Sequence, residues 1–326
     1  MTKDDLRIVF MGTPDFAVES LRALVEGGYH VVGVVTMPDK PVGRHGSVLQ
    51  ASAVKQYAVS AGLPVLQPEK LKDEFFIREL QALQANLQIV VAFRMLPEIV
   101  WNMPRFGTFN LHASLLPQYR GAAPINWAVI NGEKETGVTT FFLAREMDTG
   151  RIIRQERLPI AETDDAGTVH DALMIMGAKL VTETVNLLIE KDGHIESIPQ
   201  ETFYEDVKDL HPAPKIFTET CRINWAQTTV RIYDFIRGLS PYPAAWTELV
   251  TPEGKRLPAK IFQTGKRNEN HNLIPGAVDT DGKHFLDVAT KDGFIRILSF
   301  QLSGKKRMPV KDFLNGTKPD NNWHVE

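Results

Sequence analysis

The chain has 326 residues, of which 43% are hydrophobic and 24% charged, and its formal net charge is −3. This length suits two domains, and the composition is that of an ordinary globular protein in which both domains can build a core. The single cysteine, Cys221, excludes a disulfide framework and cysteine-based metal sites, and fits a reducing compartment. The acidic N-terminal residues do not resemble a signal peptide, and no uninterrupted apolar run of about 18 residues predicts a membrane span. We therefore expect a cytoplasmic protein with no membrane contact.

Charge is distributed unevenly along the chain. Residues 1–208 contain 20 basic and 27 acidic side chains, whereas residues 209–326 contain 17 basic and 13 acidic ones. A mildly basic second part is compatible with a polyanionic partner. On charge alone, ordinary variation between domains is the better explanation.

The first two hundred residues alternate apolar strands with helices. The predicted strands are 6–11, 31–36, 87–93, 107–112, 137–143 and 152–158. The predicted helices are one that starts in the turn at 12–15 and ends near 26, one that ends at 61, and those at 124–130 and 163–189. A Pro/Gly-rich loop is expected at 37–47. This alternation predicts an α/β domain with a doubly wound, mostly parallel, Rossmann-like sheet. Active sites in such sheets lie at the carboxyl ends of the strands.

The pattern changes near the stretch His211-Pro212-Ala213-Pro214, which is typical of a linker. Beyond it we predict a helix at 229–239 and short strands at 245–250, 259–262, 276–279, 285–289 and 294–302, with Asp-Gly turns at 281–282 and 292–293. Five short strands in about a hundred residues indicate a small Greek-key barrel, for which the oligonucleotide-binding (OB) fold is one candidate. The predicted domains are 1–205 and 219–326, joined by a linker at 206–218.

Three side chains between residues 109 and 150 carry the functional hypothesis. Alternation along an extended strand places Asn110 and His112 on one face and Leu111 on the other. With Asp148 in a tight turn, these groups could polarise a carbonyl, hold the negative oxygen that forms, and take a proton from an attacking amine. Each residue alone is more often structural, and spacing alone does not place Asp148 beside His112.

The same stretch carries a family resemblance, and further segments extend it along nearly the whole chain. The segments are NLHASLLP at 110–117, YRGAAP at 119–124, ETGVT at 135–139, MDTG at 147–150, FMGTPDFA at 10–17, GLPV at 62–65, INW at 223–225, PG at 275–276 and GKKRM at 304–308. The chain resembles the formyltransferases that use 10-formyltetrahydrofolate, and among them those that act on methionyl-tRNA. The resemblance implies transfer of a formyl group from this folate co-substrate to the α-amine of methionyl-initiator tRNA, without a metal.

The resemblance also implies roles for individual residues. It makes Asn110, His112 and Asp148 the catalytic set. The implied folate contacts are Ser114, Leu115, Leu116 and Pro117, together with Phe93, Arg94, Met95 and Leu96. Phe93-Arg94 departs from the Tyr-Gly pair that is commoner in the family, which puts a side-chain contact from Arg94 in doubt.

Contacts with tRNA are implied mainly at basic residues. Residues 38–47 correspond to a family insertion that reaches the tRNA acceptor stem, although a mobile solvated loop fits the composition equally well. The implied tRNA contacts are Lys40, Arg44, His45, Lys208, Lys215, Lys305, Lys306 and Arg307. Such contacts position a nucleic acid without reading its sequence. We expect the protein to be a monomer.

Other functions remain as alternatives. An amino-sugar nucleotide formyltransferase is the nearest enzymatic rival, whereas formyltransferases acting on glycinamide ribonucleotide typically lack a second domain. A folate-sensing RNA-binding protein would be of a different class. The chain lacks a G-x-G-x-x-G stretch for NAD after its first strand, the nine histidines lack paired metal-ligand spacing, and Ser114 lacks a G-x-S-x-G context.

Overall fold

A computed structural model describes residues 1–42 and 48–326 of the chain. The described helices are α1 (Asp15–Glu26), α2 (Ala53–Ser60), α3 (Glu74–Ala82), α4 (Glu98–Trp101), α5 (Pro124–Ile130), α6 (Ala166–Glu190), α7 (Thr229–Leu239) and α8 (Val310–Gly316). The described strands are β1 (Ile8–Gly12), β2 (Val31–Val35), β3 (Lys40–Val42), β4 (Val48–Gln50), β5 (Val65–Leu66), β6 (Leu87–Val91), β7 (Thr108–His112), β8 (Glu135–Phe142), β9 (Ile152–Pro159), β10 (Ala245–Val250), β11 (Arg256–Arg267), β12 (Val278–Thr280), β13 (Leu286–Ala289), β14 (Phe294–Leu302), β15 (Met308–Pro309) and β16 (His324–Val325). Short 3-10 helices occupy Gln200–Phe203, Val207–Asp209 and Thr218–Cys221.

The chain forms two compact units. The first contains residues 1–121, 136–158 and 170–212, and the second contains residues 122–135, 159–169 and 213–326. Two internal segments, 122–135 and 159–169, that lie within the predicted first domain therefore belong to the second unit. The contiguous domain boundaries drawn from the sequence stay a prediction.

The first unit contains a seven-stranded sheet in the order β5-β2-β1-β6-β7-β8-β9. Its central pairs, β1 with β2, β1 with β6 and β6 with β7, are parallel, and β7 pairs antiparallel with β8. Every residue of β1 and β6 is buried, as expected for parallel strands that are covered on both faces. The predicted Rossmann-like, mostly parallel sheet is confirmed.

Strand β7 has two chemically different faces. Leu111 is buried and packs against α6, where a Cβ added at Gly177 would lie 2.6 Å from Leu111 Cδ2. Glycine at 177 thus lets the helix approach this strand closely. Because side chains alternate along a strand, Asn110 and His112 extend from the face opposite to α6.

Among the described residues, α6 is long and apolar enough to cross a membrane by length and composition. Polar residues such as His170, Asp171 and Lys179 interrupt its apolar stretches, so the sequence does not show it as an uninterrupted apolar run. Leu173, Val181 and Leu188 of this helix are buried within the protein. A core helix of a globular domain meets the same criteria, because it too must present apolar side chains to its neighbours.

The second unit contains an antiparallel sheet in the order β12-β13-β14-β11-β10-β16, with β15 paired to β14. Val325 N donates to Gly276 O and Val278 N donates to Trp323 O. These hydrogen bonds join the last strand to the beginning of β12 and nearly close the sheet into a barrel. The core includes Cys221 and Trp225, whose Nε1 donates to Thr247 Oγ1 at 3.0 Å. The predicted small barrel is confirmed.

Several elements differ from the sequence prediction. Residues 37–47 were predicted as a loop, but β3 at Lys40–Val42 pairs with β4 at Val48–Gln50. Strand β11 is three times longer than the predicted 259–262, because its register against β14 shifts around Gln263 and interrupts the alternation. Helices α3 and α8 and strands β15 and β16 were not predicted.

Candidate active site

His112 at the carboxyl end of β7 is held by a main-chain oxygen. Its Nε2 lies 2.8 Å from Tyr119 O, and a carbonyl oxygen can only accept, so Nε2 must carry the hydrogen. The other ring nitrogen, Nδ1, lies 3.9 Å from Asp148 Oδ2. His112 is 7% exposed. The buried imidazole therefore has one fixed tautomer when neutral and presents its basic nitrogen toward a carboxylate.

Asp148 is positioned by a tight turn. Its φ is 56°, a left-handed conformation that Asp tolerates better than most residues. Asp148 Oδ2 accepts a hydrogen bond from Gly121 N at 3.0 Å. A Cβ at Gly150 would overlap the carbonyl oxygen of Phe142, so glycine is needed there for the turn to pack against β8. The Asp-Thr-Gly sequence thus fixes a mostly buried carboxylate beside the imidazole.

Asn110 lies two residues before His112 on the same face of β7. Its Oδ1 is buried and makes no hydrogen bond within the described part of the chain. A buried polar atom without a hydrogen-bond partner costs free energy, so native proteins contain few such atoms. Those that remain are often found at functional sites. The Asn110 amide could accept from an amine through Oδ1 and donate to a carbonyl oxygen through its nitrogen.

Together these groups have the chemistry of an acyl-transfer site. Asn110 offers a neutral donor to a developing oxyanion, and His112 and Asp148 offer a route for a proton. The structure brings the imidazole and the carboxylate into proximity, which spacing in the sequence could not establish. Within the described residues, no group of three or more His, Cys, Asp or Glu side chains could hold a metal ion.

The stretch 114–117, which was predicted to bind folate, is held in place by hydrogen bonds and by packing in the core. Ser114 Oγ donates to Gln118 O at 2.6 Å, and Thr139 Oγ1 donates to Ser114 O at 2.7 Å. Leu116 is 1% exposed and packs with Phe141 in a small core cluster. Pro117 is buried and Leu115 half-buried. Ser114 and Leu116 are therefore buried with their main chain in this conformation, and Leu115 is the partly exposed residue of the stretch.

The second predicted folate stretch follows β6. Arg94 folds its guanidinium back, with Nη1 donating to Glu69 O at 2.8 Å and Nη2 donating to Pro68 O at 2.7 Å. Burial lowers the pKa of this guanidinium. Phe93 is half-buried and Leu96 buried, whereas Met95 is exposed. In this conformation the guanidinium of Arg94 is used to fix the loop, and the proposed role of this stretch in folate binding stays a prediction.

The predicted tRNA contacts occur in both units. Arg44 and His45 lie outside the described residues. Lys40, at the start of β3, and Lys208, in the 3-10 helix Val207–Asp209, are exposed in the first unit.

In the second unit Lys215, Lys305 and Lys306 are exposed. Lys215 Nζ lies 5.4 Å from the centre of the Phe217 ring. Arg307 donates from Nε to Ser299 Oγ at 2.9 Å and stacks over Phe262, so its side chain is partly committed to the barrel. A cavity of about 430 Å³ in this unit is lined by Lys215 and Phe217 among other residues.

Sequence reasoning missed the residues that hold the catalytic candidates. Tyr119 supplies the carbonyl for His112, Gly121 supplies the amide for Asp148, and Gln200 contacts the Asp148 turn. Tyr119 and Gly121 fall within the quoted YRGAAP motif, but their use is through the main chain, which sequence patterns do not reveal. Gln200 lies 52 residues beyond Asp148 and carries no local signal.

Comparison with known proteins places this arrangement in a family. The formyl transferase model matches residues 6–185, and the model of the formyl transferase C-terminal domain matches residues 215–318. The methionyl-tRNA formyltransferase of Parabacteroides distasonis is 73% identical over 318 residues, which are 98% of each chain. The methionyl-tRNA formyltransferase of Porphyromonas gingivalis strain W83 is 50% identical over 328 residues, covering 100% of both.

Solved structures of lower identity share the fold. An N-formyltransferase from Helicobacter canadensis superposes with a TM-score of 0.61 at 19% identity, covering 93% of this chain and 100% of that one. HypX from Aquifex aeolicus in complex with tetrahydrofolic acid superposes with a TM-score of 0.61 at 20% identity, covering 97% of this chain. This chain spans 48% of HypX.

Proposed function

This chain belongs to the formyl transferase family, and from that membership we propose that it formylates methionyl-initiator tRNA. The formyl donor is 10-formyltetrahydrofolate, and the products are N-formylmethionyl-tRNA for translation initiation and tetrahydrofolate. The first domain carries the chemistry, and the barrel domain, 219–326 in the sequence prediction, binds the tRNA. Two relatives that are named methionyl-tRNA formyltransferase, and that align with this chain over 98% and 100% of their own length, support this assignment.

The observation that best supports the proposal is that the side chains of His112 and Asp148 lie close together, with His112 two residues along the strand from Asn110. The neutral α-amine attacks the formyl carbon, so that a new C–N bond forms and the carbonyl oxygen becomes an oxyanion. The Asn110 amide stabilises that oxyanion through its N–H, and His112 adds to this once its Nδ1 has taken the proton of the amine. The carbon–N10 bond then breaks, and the proton lost by the amine reaches N10 with the help of His112 and Asp148. No covalent intermediate with the protein is required.

The folate lies against two segments near the carboxyl ends of the central strands. The main chain at 93–96 meets the pterin, and the stretch 114–117 borders the reacting formyl group. The half-buried Phe93 and exposed Met95 are the side chains free to contact the ring. The protein acts as a cytoplasmic monomer.

Transfer of a labelled formyl group tests the proposal. Purified protein is incubated with 10-formyltetrahydrofolate labelled in the formyl group and, separately, with charged initiator tRNA, charged elongator methionyl-tRNA and an amino-sugar nucleotide. We expect label on the initiator tRNA. Label found only on the amino-sugar nucleotide would show that this nucleotide, and not the initiator tRNA, is the acceptor.

Substitution of the imidazole separates binding from chemistry. We expect His112→Ala to lower kcat by about 10²–10⁴-fold, the range for a lost general acid–base group, while tetrahydrofolate still binds in a calorimetric titration. Turnover at the wild-type rate would remove His112 from the reaction.

A further inference from the structure

A buried glutamine joins the two turns on which the candidate site is built. Gln200 is completely buried, and its Nε2 donates to Asp148 O and to Gly150 O, both at 2.8 Å. Its Oε1 accepts from Arg120 Nε at 3.0 Å and from Arg120 Nη2 at 2.7 Å. One side-chain amide thus makes four hydrogen bonds.

The orientation of this amide is fixed by its partners. The two main-chain oxygens only accept and the guanidinium only donates, so the nitrogen of Gln200 must face the Asp148–Gly150 turn and its oxygen must face Arg120. A glutamate would lose the donors, and a methionine of similar length would lose all four bonds. Few other side chains can serve both turns at once.

The two turns that Gln200 joins are those that orient His112 and Asp148. Arg120 lies between Tyr119, whose carbonyl fixes His112, and Gly121, whose amide fixes the Asp148 carboxylate. Movement of either turn would change the separation of Nδ1 and Oδ2, which is 3.9 Å. The hydrogen bonds of Gln200 thus reach the two turns that carry the pair and go to neither the His112 nor the Asp148 side chain.

We propose that Gln200 is a positioning residue for Asp148, and that with Arg120 it holds the carboxylate in register with the imidazole. This inference rests on the proposed function for its kinetic consequences, but its structural consequence is measurable without any turnover. Such a residue affects the transition state, in which the proton moves, more than the binding of either substrate.

Steady-state kinetics of Gln200→Met gives the first test. We expect kcat to fall by about tenfold to a hundredfold, as for a small misplacement of a reacting group, with the KM values for 10-formyltetrahydrofolate and charged tRNA within about twofold of wild type. Gln88 is the matched control, because it is also completely buried and accepts from Thr108 Oγ1. Gln88→Met should retain the wild-type kcat.

A double-mutant cycle separates positioning from general destabilisation. If Gln200 acts through Asp148, the variant Asp148→Asn/Gln200→Met should be no slower than Asp148→Asn alone, within about twofold. A further tenfold loss in the double variant would show that Gln200 acts elsewhere and would overturn the proposal.

Hydrogen exchange at Gly121 tests the same idea without the reaction. The amide of Gly121 is protected by Asp148 Oδ2, so its exchange should accelerate by about tenfold in Gln200→Met and remain unchanged in Gln88→Met. Wild-type protection of Gly121 in Gln200→Met would reject the proposal. If wild-type protein failed to formylate tRNA, the proposed function would fall while this measurement still decided the role of Gln200.

Discussion

At the scale of single residues, the hydrogen bond from His112 to Tyr119 O determines what the imidazole can do. Because Nε2 keeps its hydrogen, only Nδ1 can take a proton, and it faces the Asp148 carboxylate at 3.9 Å. A bare nitrogen lone pair and a carboxylate repel each other, whereas an imidazolium and a carboxylate attract. Under the proposed mechanism the pair would therefore gain electrostatic stabilisation if His112 took the proton that leaves the amine.

Asn110 is a residue whose replacement should lower activity while it increases the stability of the fold. Its buried Oδ1 has no hydrogen-bond partner within the described residues, which costs about 1–3 kcal/mol. We expect Asn110→Leu to abolish measurable formyl transfer and to raise the free energy of unfolding by about 1 kcal/mol. Denaturant unfolding and a single-turnover assay measure the two effects.

A second asparagine provides the contrast. Asn126 Nδ2 donates to Gly238 O at 2.8 Å, so Asn126→Leu removes a hydrogen bond that is already made. That variant should lose about 1 kcal/mol of stability. If Asn110→Leu lost as much stability as Asn126→Leu, the Asn110 side chain would already be hydrogen-bonded within the protein. That result would contradict the proposal that its amide bonds to the substrate.

At the scale of elements, the antiparallel pair of strands β3 and β4 is anchored by the residue that precedes β3 rather than by the strands themselves. Asp39 accepts from Lys55 Nζ at 2.7 Å and from Gln67 Nε2 at 2.8 Å. The hydrogen bond from Lys55 is the main cause that lowers the pKa of Asp39, followed by that from Gln67. All residues of both strands are exposed, so little else in the described chain orients them.

The anchor predicts a selective kinetic effect. We expect Asp39→Asn to raise the KM for charged tRNA by about three- to tenfold, as for loss of a charged hydrogen bond, with the KM for 10-formyltetrahydrofolate unchanged. The pKa of Asp39 is lowered in the folded protein, so the anchor is complete above the ordinary value of about 4 and is lost only as the pH falls below it. The ratio of the KM values for charged tRNA of Asp39→Asn and wild type should therefore be constant between pH 6 and pH 8. A strong variation of this ratio in that interval would exclude the Asp39 anchor as its cause.

The elements that the sequence predicted are those whose signal is local. Strand β6 is a continuous apolar run, and α1 starts after Pro14 and ends before two glycines, so composition and turn residues suffice. Helix α3 had a usable signal, because Asp73 caps it and Phe76, Ile77 and Leu80 form one buried stripe. Strand β16 has only two residues and depends on pairing with β10 and with residues near β12, which no local pattern encodes.

In the candidate site too, some features follow from a local sequence pattern and others depend on distant parts of the chain. Alternation along β7 predicts that Asn110 and His112 share a face, whereas the approach of Asp148 depends on turns that are 27 residues apart and on Gln200. Main-chain partners such as Tyr119 O leave no trace in side-chain chemistry. The sequence therefore contains the reactive groups, and the fold supplies their distances.

At the scale of the whole molecule, basic residues of the second unit predict how the rate responds to salt. Lys305 and Lys306 are exposed just before β15, and contacts between lysines and phosphates release counterions when tRNA binds. We expect log(kcat/KM) for charged tRNA to fall linearly with log salt concentration. The slope should become shallower by about one for each lysine in Lys305→Ala and Lys306→Ala.

An exposed lysine elsewhere in the same unit makes this test specific. Lys283 follows the turn at Asp281-Gly282, and Lys283→Ala changes the net charge by the same amount as either of the other variants. If the slope depended on net charge alone, all three variants would shift it equally through the long-range field. A shift confined to Lys305→Ala and Lys306→Ala would instead locate phosphates at the turn before β15, since direct contacts act within a Debye length of about 8 Å at physiological ionic strength.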